Sequence, residues 1–238
     1  MQGADYLATG HYARVTRDSA GDLWLARGVD PAKDQSYFLY RLTPAQLEHV
    51  LFPVGELEKP IVRAIAERMG IHVAEKPDSQ EVCFASAGQH ATVVGERCPE
   101  ARVPGDIVSS SGVVLGRHTG IADYTVGQRK GLGLASPEPL YVLAVDAERN
   151  VVVVGSRQDL AVTHVEAGDV IWRSNPEGED VEAMVRYRMR PQSAWAGLTG
   201  GQLSVDFAEP LFGVAPGQAV VCYSGDRVIG GGTIACAS

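Results

Sequence analysis

Gln218-Ala219-Val220-Val221-Cys222-Tyr223-Ser224-Gly225-Asp226-Arg227-Val228-Ile229-Gly230-Gly231-Gly232-Thr233-Ile234 decides how the C-terminal part of the chain is read. Two runs rich in β-branched residues flank Gly225-Asp226, a pair suited to a tight turn, so the stretch reads as an antiparallel hairpin. The same pattern extends outward through His164–Trp172, Val181–Arg188, Ala194–Leu198 and Gln202–Phe207, with no helical period between the runs. Six short strands of this kind predict a small antiparallel barrel or sandwich, placed at residues 159–238.

Before it, Asp106-Ile107-Val108, Val113-Val114-Leu115, Leu140–Val145 and Val151–Val154 are short strands separated by turn residues, with Arg149-Asn150 joining the last two. They predict a small β-rich central domain over residues 88–158. The first third differs. Tyr6-Leu7-Ala8 reads as a short strand running into Thr9-Gly10-His11, the kind of strand end where α/β sheets bind ligands. Val15–Arg27 reads as a hairpin turning at Ser19-Ala20-Gly21-Asp22. Asp34 is placed to cap a short helix bearing Tyr37, Phe38 and Leu39, and Thr43-Pro44 opens another. Lys59–Gly70 carries apolar residues at 61, 62, 65, 66 and 69, which is helical spacing closed by glycine. Residues 1–87 therefore read as part of an α/β domain. A parallel sheet needs crossover partners, so the chain is expected to be the C-terminal part of a longer protein.

With 45% hydrophobic and 21% charged residues, the composition is that of globular domains with real cores. The longest apolar runs fall far short of the roughly 20 residues of a membrane span. No charged and apolar leader opens the sequence. The four cysteines, at 83, 98, 222 and 236, show no zinc spacing, and together with the missing leader they predict free thiols in a reducing cytoplasm. The net charge of −8 argues against indiscriminate nucleic-acid binding but leaves room for local basic clusters. Arg129-Lys130 and Arg186-Arg188-Arg190 are the candidates, with a scattered solvated surface as the plain alternative.

One further stretch, Lys76-Pro77-Asp78-Ser79-Gln80-Glu81-Val82-Cys83-Phe84, holds a lone cysteine beside polar residues rather than inside an apolar run. A thiol acts as nucleophile or sulfur carrier only as an accessible thiolate. The structural alternative is a small buried hydrophobe, and Glu81 disfavours the thiolate by repulsion.

Several stretches, in order, carry a more specific signal. Asp5-Tyr6-Leu7-Ala8-Thr9-Gly10-His11-Tyr12, Lys33-Asp34-Gln35-Ser36-Tyr37-Phe38-Leu39, Leu51–Pro60, Asp78 to Cys83-Phe84 and Tyr124–Gly133 together resemble the tRNA-specific 2-thiouridylase family. The resemblance covers the whole chain, more loosely in the barrel. It implies an N-terminal PP-loop (adenine nucleotide α-hydrolase-like) domain, a central β-rich domain and a C-terminal barrel. It also implies an ATP-dependent sulfurtransferase that makes 2-thiouridine at the tRNA wobble position.

In that family the uracil C2 oxygen is adenylated, magnesium being the expected companion of ATP, and a cysteine persulfide then attacks C2. On this resemblance Cys83 matches the persulfide cysteine, Gly10 an ATP contact and His11 a tRNA contact. Lys33, Asp34 and Gln35 match the segment near the modified base, and Arg186, Tyr187 and Gln218 match tRNA contacts in the barrel. The implied partners are tRNA and a persulfide donor or relay protein, with no DNA and no membrane. The residue types suit these roles. Single-stranded bases are read by stacking and by hydrogen bonds to their edges, and a base must leave its stack before chemistry reaches it. Gln35 offers both donor and acceptor, and Lys33 a point charge. Without the resemblance, the preferred reading is Lys33 and Asp34 as a capping pair with Gln35 as a solvated surface residue, and His11 reads as well as a strand-end histidine.

Two elements of the family pattern are missing from this sequence: the Ser-Gly-Gly-Val-Asp-Ser loop and the first catalytic cysteine, which pairs with the persulfide cysteine as sulfur is delivered. The expectation is that this chain alone does not complete the reaction. A non-catalytic tRNA-binding module and an unrelated PP-loop enzyme that adenylates a carboxylate are the alternatives.

Overall fold

The structure is a computed structural model that describes residues 3–71, 98–175 and 177–238. These residues form two compact units. One combines the described residues before 72 with Thr163–Glu209 and Pro216–Ser238; the other combines residues 98–162 with Pro210–Ala215.

The first third begins with β1 (Leu7–Ala8), β2 (Ala13–Arg17) and β3 (Leu23–Arg27). The expected hairpin is β2–β3, running from Ala13↔Arg27 to Arg17↔Leu23. Asp18 closes its loop, accepting from Ala20 N at 2.9 Å, Asp22 N at 3.0 Å and the Trp24 indole at 2.9 Å. Two short helices follow, α1 (Ser36–Leu39) and α2 (Pro44–Leu47). Thr43 and Gln46 form a reciprocal capping box on α2, and Pro44 occupies its first turn. Next come β4 (Val50–Leu51) and α3 (Lys59–Arg68).

The strand read at Tyr6-Leu7-Ala8 pairs in parallel with β4 through Leu7↔Val50 and Ala8↔Leu51. This parallel pair and the helices make up the α/β portion expected from the sequence. The apolar period of α3 is real, yet no α3 side chain is buried among the described residues, and neighbouring Met69 is 68% exposed.

The second unit holds β5 (Gly105–Ser109), β6 (Val114–His118), β7 (Tyr141–Asp146) and β8 (Val151–Gly155) in the order β6-β5-β8-β7. Pairing is antiparallel except between β5 and β8. Ile107, Leu132, Val142, Val152 and Val154 form its buried core. Asn150 makes the turn before β8 with φ +52°, a conformation asparagine tolerates better than most residues.

The C-terminal strands are β9 (Ala161–Trp172), β10 (Glu179–Met184), β11 (Gln192–Thr199), β12 (Gln202–Phe212), β13 (Ala219–Ser224) and β14 (Arg227–Ala237). They run in the order β13-β10-β11-β12-β9-β14, and the β13–β14 pairing closes a six-stranded barrel. Gly225, at the first position of the two-residue β13–β14 loop, has φ +58°, which a side-chain-bearing residue adopts only with strain. Alternation sends Val181, Ala194 and Phe207 inward across three strands, whereas Glu182 stays outside.

Two features differ from the sequence reading. The strand expected at Val181–Arg188 ends at Met184, because the backbone turns where Met189 N bonds Arg186 O at 3.1 Å. In addition, β14 pairs onward with β3 at Arg227↔Ala26, so the N-terminal hairpin extends the barrel sheet. The outer face of the barrel is covered there: Met184, Val221, Tyr223 and Val228 pack with Ala13, Leu25, Tyr37, Tyr40 and Leu47.

Gly55 sits where Val29 N bonds its carbonyl at 2.9 Å, and any β-carbon on it would overlap the carbonyl oxygen of Ala13. Gly55→Ala should therefore destabilise the first unit by about 1–3 kcal/mol, as overpacking does. Thermal unfolding followed by circular dichroism measures it, and an unchanged melting temperature would refute this packing account.

Candidate tRNA-contacting site

Gly10 and His11 lie in the link from β1 to β2. Thr9 N bonds Leu51 O at 3.0 Å, which holds the link against β4. Around Gly10 there is nothing within 4 Å of where a β-carbon would stand, so a ligand can approach its backbone closely. His11 Nδ1 lies 2.8 Å from Thr9 Oγ1, and its ring meets Phe52 edge-on at 6.4 Å.

The next residue, Tyr12, is clamped by Gln35 on both sides of its backbone. Tyr12 N donates to Gln35 Oε1 at 3.0 Å, and Gln35 N donates to Tyr12 O at 2.8 Å. The Gln35 acceptor is thus engaged within the protein, and its amide NH2 is the end suited to meet a base.

Asp34 does not act as the N-cap expected of it; Gln35 occupies that position without a side-chain cap bond. Instead, Asp34 Oδ1 accepts from Gly28 N and Ser36 N, each at 3.0 Å, and Oδ2 accepts from Ser36 Oγ at 2.9 Å. Asp30 makes a second knot beside it, with Oδ1 receiving Ala32 N and Oδ2 receiving Lys59 N, each at 3.0 Å, while Lys33 N bonds Asp30 O at 3.1 Å. The Lys33–Gln35 segment is fixed at both ends by buried or half-buried carboxylates.

From there α1 reaches the barrel. The Tyr37 hydroxyl donates to Ala219 O at 2.8 Å, next to Gln218. Tyr187 lies 6.5 Å from the Tyr37 ring and 4.4 Å from the Phe38 ring. The turn after β10 presents Arg186, Arg188 and Arg190 at the surface. The structure thus sets Lys33, Asp34 and Gln35 directly before α1, brings Tyr187 against the Tyr37 and Phe38 rings with Arg186 next to it in the turn, and joins Gly10 and His11 to Gln35 through Tyr12. Gln218 precedes the residue whose carbonyl Tyr37 bonds. Cys83 and its flanking residues lie outside the described residues.

Sequence reasoning assigned no role to Ser36, Phe38 or Tyr223. For Phe38 the signal available was the aromatic run Tyr37-Phe38-Leu39-Tyr40, whose members separate into buried and exposed sets only once α1 is docked; for Ser36 and Tyr223 no local pattern gave one. Ser36 Oγ lies 3.3 Å from the Tyr223 hydroxyl, and Arg27 sits 4.1 Å over the Tyr223 ring.

Two of the described thiols are held protonated. Burial, with Glu179 nearby, raises Cys222, and a hydrogen bond to the Glu166 carboxylate raises Cys236. Among the described residues no His, Cys, Asp and Glu group is arranged to hold a metal, and no helix is long and apolar enough to cross a membrane.

Comparison with known proteins places the whole chain. Residues 1–87 match the family described as tRNA methyl transferase HUP domain, 91–156 the tRNA methyl transferase PRC-barrel domain, and 162–234 the aminomethyltransferase β-barrel domain. Proteins named tRNA-specific 2-thiouridylase MnmA align over 98% of the chain. The one from Geobacter metallireducens is 48% identical over 235 residues, 64% of its own length. That from Rhodospirillum centenum is 50% identical over 243 residues (62% of its length), and that from Moorella thermoacetica 48% over 237 (66%). The chain spans just under two thirds of these relatives.

Burial first, and the neighbouring Tyr40 second, push the Tyr37 hydroxyl up to about 12. Its folded value exceeds the unfolded one near 10, so its stabilising contribution is complete below pH 10 and is lost as pH rises towards 12. Chemical denaturation between pH 8 and 11.5 should show stability falling on this alkaline limb, and Tyr37→Phe should make the fall shallower. An identical slope in both proteins would refute the assignment.

Proposed function

Because the chain belongs to the tRNA-specific 2-thiouridylase family, we propose that it is the sulfur-carrying and tRNA-contacting part of a tRNA-uridine 2-sulfurtransferase. The observation that carries this reading is the docking of α1, which directly follows Lys33–Gln35, against Tyr187 and against the Ala219 carbonyl beside Gln218, segments far apart in sequence.

In this reading Lys33, Arg186 and the arginines beside it meet phosphates, Tyr187 offers a ring face, and His11, Gln35 and Gln218 make polar contacts with the anticodon loop. Asp34 contributes by holding Lys33 and Gln35 in place, since its oxygens are engaged inside the protein. Gly10 lies against ATP. ATP, with magnesium, supplies the adenylyl group that turns the uracil C2 oxygen into a leaving group. The terminal sulfur of a Cys83 persulfide forms the new bond to C2, and the C2–O bond breaks with departure of AMP. A second cysteine thiolate then attacks the Cys83 sulfur, leaving 2-thiouridine and a protein disulfide. A dithiol reductant then reduces the disulfide back to two thiols, and a persulfide donor or relay protein reloads Cys83.

The proposed setting is a reducing cytoplasm, and the proposed organisation is residues 1–87, 88–158 and 159–238 as successive domains.

In the protein that carries this chain, Cys83→Ser should abolish 2-thiouridine formation, assayed with ATP, a persulfide donor and substrate tRNA, while tRNA affinity stays within about twofold. Thiolation at the wild-type rate would defeat the proposal. Separately, Arg186→Ala should weaken tRNA binding and reduce the slope of log affinity against log salt by about 1, as loss of a phosphate contact does. An unaltered slope would remove Arg186 from the interface.

A further inference from the structure

We propose that Phe38 is a stacking platform for an unstacked nucleobase of the anticodon loop. The inference rests on the tRNA reading above and adds to it Phe38, which lies within a quoted motif but was given no role in binding.

Phe38 is 56% exposed, whereas its neighbours Tyr37 and Tyr40 are buried. It takes no part in the core that α1 covers: Tyr37, Leu39 and Tyr40 pack there, and Phe38 does not. Fully covering such a ring would return roughly 1.5–3 kcal/mol, so it has binding energy to offer a flat apolar partner.

The ring is also held in place. Tyr187 lies at 4.4 Å with the planes at 41°, and Tyr37 meets it edge-on at 5.5 Å and 82°. Beneath it α1 is anchored at one end by the Asp34 bonds to Ser36 and, through Tyr37, by the bond to Ala219 O. A base arriving on this ring would meet a surface already ordered, with little side-chain freedom left to lose.

The surroundings specify the partner's chemistry. Arg186 and Arg188 flank Tyr187 in the turn after β10, and Lys33 precedes α1. An exposed aromatic beside clustered cations is the combination that binds single-stranded nucleic acid, cations taking the backbone and the ring taking a base. Phe38 has no hydrogen-bonding group, so its contribution tolerates any base at that position.

The test uses the full chain and a fluorescein-labelled RNA hairpin of a tRNA anticodon stem-loop. Phe38→Ala should weaken binding at least about fivefold without changing the salt slope, because a stacked base is lost and no phosphate contact is. Phe38→Trp should bind within about twofold of wild type, and its added emission should be quenched when the RNA binds. Wild-type affinity in Phe38→Ala, or unquenched emission in Phe38→Trp, would overturn the inference while leaving the tRNA reading intact. Failure of the wild-type chain itself to bind the hairpin would overturn that reading and this inference with it.

Discussion

The Asp34 carboxylate is the interaction on which the rest of the candidate site depends. It takes two backbone N–H groups and one hydroxyl, joining the segment after β3 to the first turn of α1. Hydrogen bonds to a charged group contribute about 1.5–3 kcal/mol each, more than the four-residue helix could supply from its own backbone. The serine it holds faces the Tyr223 hydroxyl on the barrel, so one carboxylate sets the position of α1 relative to β13. Lys33 and Gln35 on one side, and Tyr37 and Phe38 on the other, take their places from it.

That role was only half legible in the sequence. The residue type at 34 announces a polar anchor near a helix start, and the anchor is there. What no local pattern contains is Gly28 as one of its donors or Tyr223 as the next member of the chain of bonds. The barrel was legible strand by strand, because alternation along β10, β11 and β12 records which side chains point inward. Its extension through β3 was not, since a single register pair, Arg227↔Ala26, joins segments some 200 residues apart. The turn carrying Arg186 and Tyr187 was read as strand because Val185 continues the apolar alternation past the point where β10 loses its partner. For Cys83, residue chemistry alone left a buried hydrophobe and a sulfur carrier both open; the sulfur-carrier reading comes from the family resemblance, and the residue lies outside the described residues.

Charge on this unit is distributed in a way that the total of −8 conceals. Asp180, Glu182 and Asp206 line a concavity on the barrel around the half-exposed Trp195. The arginines at 186, 188 and 190 gather instead in the turn after β10. A polyanion approaching the barrel meets repulsion at the first surface and attraction at the second. Since exposed charges interact over a Debye length of about 8 Å in physiological salt, each patch acts locally and the net charge decides little. The basic turn is also where Tyr187 and Phe38 lie, so charge and aromatic surface coincide.

The bonds that build this surface are distinct from the groups that would bind at it. Asp34 uses its oxygens on the chain itself, Gln35 uses its carbonyl on Tyr12 and Tyr37 uses its hydroxyl on a backbone carbonyl. The Gln35 amide NH2, the Phe38 ring and the arginine heads belong to the outward set. A scaffold fastened through backbone groups constrains sequence only at its few side-chain partners, so the outward residues can vary without disturbing the frame. Substitution at Asp34 or Tyr37 acts on every outward residue at once, through position. Substitution at Phe38 or Arg186 acts on one contact each. The two classes are therefore separable by whether a variant changes one binding parameter or all of them together.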